Sequence, residues 1–81
     1  MLVTITTEGG FTGRGLGTRS AEVDDAVVTR ALAEEWLEEY HSPGADLVRY
    51  TLSVNGRSVS FTDGAQLPAL LRELFELVWK S

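Results

Sequence analysis

Leu47-Val48-Arg49-Tyr50-Thr51-Leu52-Ser53-Val54-Asn55-Gly56-Arg57-Ser58-Val59-Ser60-Phe61-Thr62 is the stretch that decides the fold. Two alternating runs flank Asn55-Gly56, and this dipeptide between such runs is the strongest short hairpin signal a sequence carries. A two-residue turn pairs Val54 with Arg57, Leu52 with Val59 and Tyr50 with Phe61. The apolar partners then share one face, and Thr51, Ser53, Ser58 and Ser60 share the other. Turn register and hydrophobic pattern agree without adjustment. Arg49 and Arg57 are expected on the open, hydroxyl-rich face. The aromatic residues that would stack bases there, Tyr50 and Phe61, point into the core instead, which argues against a nucleic-acid platform.

Beyond the hairpin, Asp63-Gly64-Ala65-Gln66 reads as a loop and Leu67–Lys80 as a helix with Pro68 in its first turn, where a missing N–H costs nothing. Leu67, Leu70, Leu71, Leu74 and Val78 form its central stripe, widened by Phe75, Leu77 and Trp79. That width fits a helix lying between the sheet and another helix; the alternative is a dimer contact through Leu77 or Trp79. Before the hairpin, Val27, Val28, Ala31, Leu32, Trp36, Leu37 and Tyr40 recur at helical spacing, so a helix is expected from Asp24 to about His41. Asp24 or Asp25 caps it, and Ser42-Pro43-Gly44-Ala45 ends it. Glu34, Glu35, Glu38 and Glu39 are expected to form its solvated face, although like charges at i,i+4 and acids near a helix C-terminus are both mildly unfavourable.

The first residues, Leu2-Val3-Thr4-Ile5-Thr6-Thr7, alternate as a strand with one buried face. A weaker second strand is expected around Leu16–Ser20. The element order is therefore ββαββα. It implies an α+β two-layer sandwich in which two helices cover one face of a four-stranded antiparallel sheet. An 81-residue chain has room for one modest core, so residues 1–81 are expected to form a single domain.

Composition narrows the function. The chain has no cysteine and a single histidine, so Cys/His catalysis is impossible and a Ser/His/Asp set would need His41. His41 is expected as a cation at the end of the first helix. A zinc site needs about three protein ligands, and no second histidine exists. No catalytic residue, metal or cofactor is expected, and the chain is not expected to be an enzyme. A net charge of −5 argues against phosphate neutralisation and suits solubility or a partner with a basic surface. The N-terminus lacks the basic and apolar regions of a signal peptide, and no apolar run approaches the roughly 20 residues of a membrane span. A cytoplasmic protein without nucleic-acid or membrane partners is expected.

What remains is Gly9-Gly10-Phe11-Thr12-Gly13-Arg14-Gly15-Leu16-Gly17, which holds five of the eight glycines. So many glycines make a poor regular element and a good loop. The stretch lacks the Gly-Lys-Ser/Thr end of a phosphate loop, and its glycine spacing does not match the dinucleotide fingerprint.

Taken with the first strand, Gly9-Gly10-Phe11-Thr12-Gly13, the Tyr50-x-Leu52-x-Val54-x-Gly56 hairpin with Val59-x-Phe61, and Leu67-Pro68 opening a helix with Leu70, Leu71 and Leu74, the chain resembles the emfourin family. These are small cytoplasmic inhibitors of protealysin and other thermolysin-like zinc metallopeptidases. The likeness covers most of the chain in order and spacing, the Gly-Gly-Phe-x-Gly piece is its distinctive part, and residues 14–24 match least. The resemblance implies a non-enzymatic inhibitor that blocks the active-site cleft with surface loops and whose partner, a protealysin-like metallopeptidase, holds the zinc. Gly9, Gly10, Phe11, Thr12, Gly13 and Arg14 are the candidate contact residues. Phe11 either anchors in the pocket for a large apolar side chain or folds back to pin the loop, and Arg14 is placed to pair with an acidic rim residue. A general interaction or dimerisation module, monomeric or weakly dimeric, is the alternative.

Overall fold

The computed structural model describes residues 1–8, 17–42 and 48–80. Strands β1 (Leu2–Glu8) and β2 (Gly17–Glu22) come first, then helix α1 (Asp25–Leu32) and strand β3 (Glu39–Tyr40). The hairpin β4 (Arg49–Val54) and β5 (Arg57–Thr62) and helix α2 (Ala69–Trp79) complete the chain. One sheet holds all five strands in the order β2-β1-β4-β5-β3. The α+β class is as the sequence predicts. The sheet differs from the expected four antiparallel strands, because β3 adds a fifth and pairs parallel to β5 through Glu39 with Ser60 and Tyr40 with Phe61.

The β4–β5 register is the one read from the sequence: Val54 opposes Arg57, Leu52 opposes Val59 and Tyr50 opposes Phe61. Asn55 at φ 49° and Gly56 at φ 80° both adopt the left-handed conformation that a two-residue hairpin turn needs to match strand twist. The second strand, expected at Leu16–Ser20, is described from Gly17 and runs on to Glu22. Ala21 and Glu22 continue the pairing opposite Val3 and Leu2.

Alternation puts Val3, Ile5 and Thr7 of β1, Leu52 and Val54 of β4, and Val59 and Phe61 of β5 on one buried face. Against it lie Val28 and Ala31 of α1 and Leu71, Leu74 and Val78 of α2, in one continuous core. Helix α2 packs on α1 and on β1 and β2. The breadth of its apolar stripe is largely accounted for, since Leu70, Phe75 and Trp79 are half-buried against the core while Leu77 stays 48% exposed.

Helix α1 is much shorter than expected. Asp24 caps it by accepting from the Ala26 N–H at 2.9 Å, but the helix ends at Leu32 rather than near His41. The following residues do better outside a helix. Trp36 packs on the core, the Leu37 N–H donates to the Tyr40 hydroxyl at 2.8 Å, and Glu39–Tyr40 joins the sheet. A helix through the same residues would stack Glu34 on Glu38 and Glu35 on Glu39 at its negative end. The expected stop at Pro43-Gly44-Ala45 lies outside the described residues.

The early exit also frees Glu34. Pro68 precedes the first residue of α2 and offers no side-chain cap. The Glu34 carboxylate takes that role from a distance, accepting from the Leu70 and Leu71 N–H groups at 3.3 and 3.1 Å. A carboxylate there meets both the orphan donors and the positive end of the helix dipole. The acidic cluster is thus not wholly a solvated face: Glu35 and Glu38 are exposed and Glu34 is structural. Glu34→Ala is expected to lower stability by about 0.5–2 kcal/mol, the range for losing a cap. Glu35→Ala, at an exposed site, should stay within about 0.5 kcal/mol. Urea unfolding of both variants checks the pair; equal losses would remove the capping account.

Candidate functional site

The candidate contact residues Gly9, Gly10, Phe11, Thr12, Gly13 and Arg14 lie outside the described residues; what is described is their frame. Among the described residues, the last pair between strands β1 and β2 is Thr7 opposite Gly17. On the other side of β1, Glu8 opposes Arg49, which opposes Thr62. The glycine stretch therefore joins two strands at the end of the sheet where Glu8, Arg49 and Thr62 sit, and the start of β4 lies at that same end.

The open face at this end is charged, whereas its middle carries short hydroxyls. The Arg49 guanidinium donates to the Glu39 carboxylate at 2.7 Å, and Glu39 lies 3.2 Å from the His41 ring. His41 is therefore not a helix-terminal cation, because α1 stops nine positions earlier in the chain, at Leu32. Farther along the face, Thr51 and Ser60 share a hydrogen bond at 3.2 Å and Thr4 and Ser20 one at 3.1 Å.

Arg57 departs from expectation. Its register opposite Val54 puts it on the core side, not the open face. Its guanidinium donates to the Leu32 carbonyl at 2.9 Å and lies 4.9 Å from the Trp36 ring centre. It thus satisfies an orphan carbonyl at the end of α1 and covers the indole. Arg19 of β2 treats α2 alike, donating to the Trp79 carbonyl at 2.6 Å with its guanidinium 4.6 Å from that ring centre.

On the core side of the sheet end, Tyr50 and Phe61 lie 5.6 Å apart between ring centres, and Phe75 meets them edge-on at 5.1 and 5.0 Å. Trp79 stacks on Phe75 at 5.7 Å. Beside these rings opens a hollow of about 280 Å³, lined by Tyr50, Phe61, Asp63, Gln66, Arg72 and Phe75 among others. Burial first, and then the Asp63 carboxylate, raise the Tyr50 pKa above its ordinary value. The neutral phenol is the form the fold favours. Tyr50 thus contributes stability that is fully present below its unfolded-state pKa near 10 and is lost as pH rises through the higher folded value. In an ultraviolet titration, Asp63→Asn is expected to bring the pKa down only part of the way, since burial leads. A complete return to the ordinary value would contradict that order.

Among the described residues no group of three His, Asp or Glu side chains is placed to hold a metal ion, and no helix is long and apolar enough to cross a membrane. No family model, curated protein or solved structure matches this chain.

Sequence reasoning missed Glu34, Arg57 and Arg19 as structural ligands of helix ends. A signal for Glu34 was present, because a helix opened by Pro68 must find its acceptors elsewhere. The side of the sheet taken by Arg57 was likewise implied by its pairing with Val54.

Proposed function

We propose that this chain is a non-enzymatic protein inhibitor of thermolysin-like zinc metallopeptidases, binding its target through Gly9–Arg14 and obstructing the active-site cleft. The observation that carries the reading is the hairpin register. Among the described residues the last β1–β2 pair is Thr7 with Gly17, so the glycine-rich stretch between them connects two neighbouring strands of a well-packed sheet. A rigid scaffold that presents a loop is a common way to build a binding site. The resemblance to emfourin in element order and in Gly9-Gly10-Phe11-Thr12-Gly13 supplies the class of partner. In this reading the zinc belongs to the protease, and this chain contributes apolar and cationic contacts from Phe11 and Arg14.

Titrating a thermolysin-like protease with the protein and following residual activity tests the reading. Loss of activity at a fixed stoichiometry, with the chain intact afterwards, is the expected result. Undiminished activity, or digestion of the chain as a substrate, would sink it.

One observation favours the alternative of a self-associating or strand-binding module. Strand β2 forms an edge of the sheet, and all of its residues except Ala21 are exposed. Such an edge offers unpaired backbone groups to another strand. Sedimentation over a range of concentrations separates the two, because the inhibitor reading needs no self-association.

A further inference from the structure

We propose that the hollow floored by Tyr50, Phe61 and Phe75 receives a basic side chain, arginine or lysine, presented by a protein partner. This inference does not depend on the inhibitor reading. The hollow, at about 280 Å³, is near the lower limit of roughly 300 Å³ for ligand pockets, so its size suits one inserted side chain. Its floor is aromatic, and aromatic faces attract cations. The chain already uses its rings in this way, with Arg19 over Trp79 and Arg57 over Trp36. Among the described residues no cation lies over Tyr50, Phe61 or Phe75.

The charges around the opening favour the same occupant. Arg72 and Glu76 both line it, and they face each other at 3.8 Å, so they largely offset one another. Asp63 remains. Its backbone N–H donates to the Val48 carbonyl and its own carbonyl accepts from Ser42, but among the described residues its carboxylate has no ion pair. Asp63 lines the same hollow as Tyr50, Phe61 and Phe75, and after burial its carboxylate is the second cause that raises the Tyr50 pKa. A neutral apolar occupant would desolvate Asp63 and Gln66 without pairing them, whereas a guanidinium or ammonium would pair with both and lie on the rings. The net charge of −5 steers a basic partner toward the surface as a whole.

The test uses the isotope-labelled full chain, titrated at low salt with acetyl-arginine amide, acetyl-lysine amide and the neutral isostere acetyl-citrulline amide. The two cations are expected to shift the ring signals of Tyr50, Phe61 and Phe75 and the side-chain amide of Gln66. Citrulline should bind at least about tenfold more weakly, and Asp63→Asn should remove most of that preference. Phe75→Leu keeps an apolar residue in the helix and should also weaken the cations. The same arginine within the peptide Gly-Gly-Arg-Gly-Gly should bind at least as well as the free amide. Equal binding of citrulline and arginine, shifts confined to Glu35 and Glu38, or exclusion of the peptide would each overturn the assignment.

Discussion

Leu52→Ala is expected to lower the unfolding free energy by about 2–5 kcal/mol, with the midpoint in urea falling accordingly and the denaturant dependence unchanged. Leu52 sits in β4, at the middle of the sheet order, opposite Ile5 of β1 on one side and Val59 of β5 on the other. All three are fully buried. The alanine would leave a void walled by β-branched side chains, which have few rotamers with which to refill it. Such a void forfeits both the transfer term and the packing contacts around it. A domain of 81 residues has about 4–12 kcal/mol of stability in total, so this one change removes a large share of it. Leu77→Ala is the proper contrast. Leu77 lies on α2 with 48% of its surface exposed, and its truncation should cost far less. If the two variants unfold at the same urea concentration, the core is not where the strand alternation and the helix packing put it.

The reason Leu52 could be identified early lies in the redundancy of its signals. Asn55-Gly56 sets a register and the alternation from Tyr50 to Phe61 sets a face, and the two agree only for one pairing. The C-terminal helix was legible for a similar reason, since Leu71, Leu74 and Val78 repeat at the spacing of one helix face and all three are buried. Where the signals conflicted, the reading failed. Trp36, Leu37 and Tyr40 keep helical spacing, while Glu34, Glu35, Glu38 and Glu39 make a helix there electrostatically poor. The conflict was resolved by partners far away in sequence: the bare N-terminus of α2 for Glu34, and the outer edge of β5 for Glu39–Tyr40. A two-residue parallel strand has no period of its own, so β3 could not be read from local pattern. The same holds for the hollow beside α2. Its rings were legible as core residues, but its opening depends on how the turn at Asp63-Gly64 sets Gln66 against the helix.

Phe11→Ala is expected to weaken inhibition of a thermolysin-like protease by about 25-fold or more while leaving the melting temperature unchanged. Aromatic anchors in a desolvated pocket commonly cost 2 kcal/mol or more when truncated, and each 1.4 kcal/mol is tenfold in affinity. The competing role for Phe11, as a pin holding the loop against the core, makes the opposite prediction. Removing a buried phenylalanine costs about 3–5 kcal/mol. In a domain of this size each kcal/mol shifts the melting temperature by about 4–8 °C, so the pin predicts a fall of more than 10 °C. The two outcomes are well separated in both measurements. Arg14→Ala adds a second axis, because an ion pair at the rim of an interface acts mainly on the association rate and is screened by salt. If both contacts are made, Phe11→Ala should act on dissociation at any ionic strength and Arg14→Ala on association at low salt. A Phe11→Ala protein that melts early yet still inhibits fully would leave Phe11 in the scaffold and move the contact surface elsewhere on the chain.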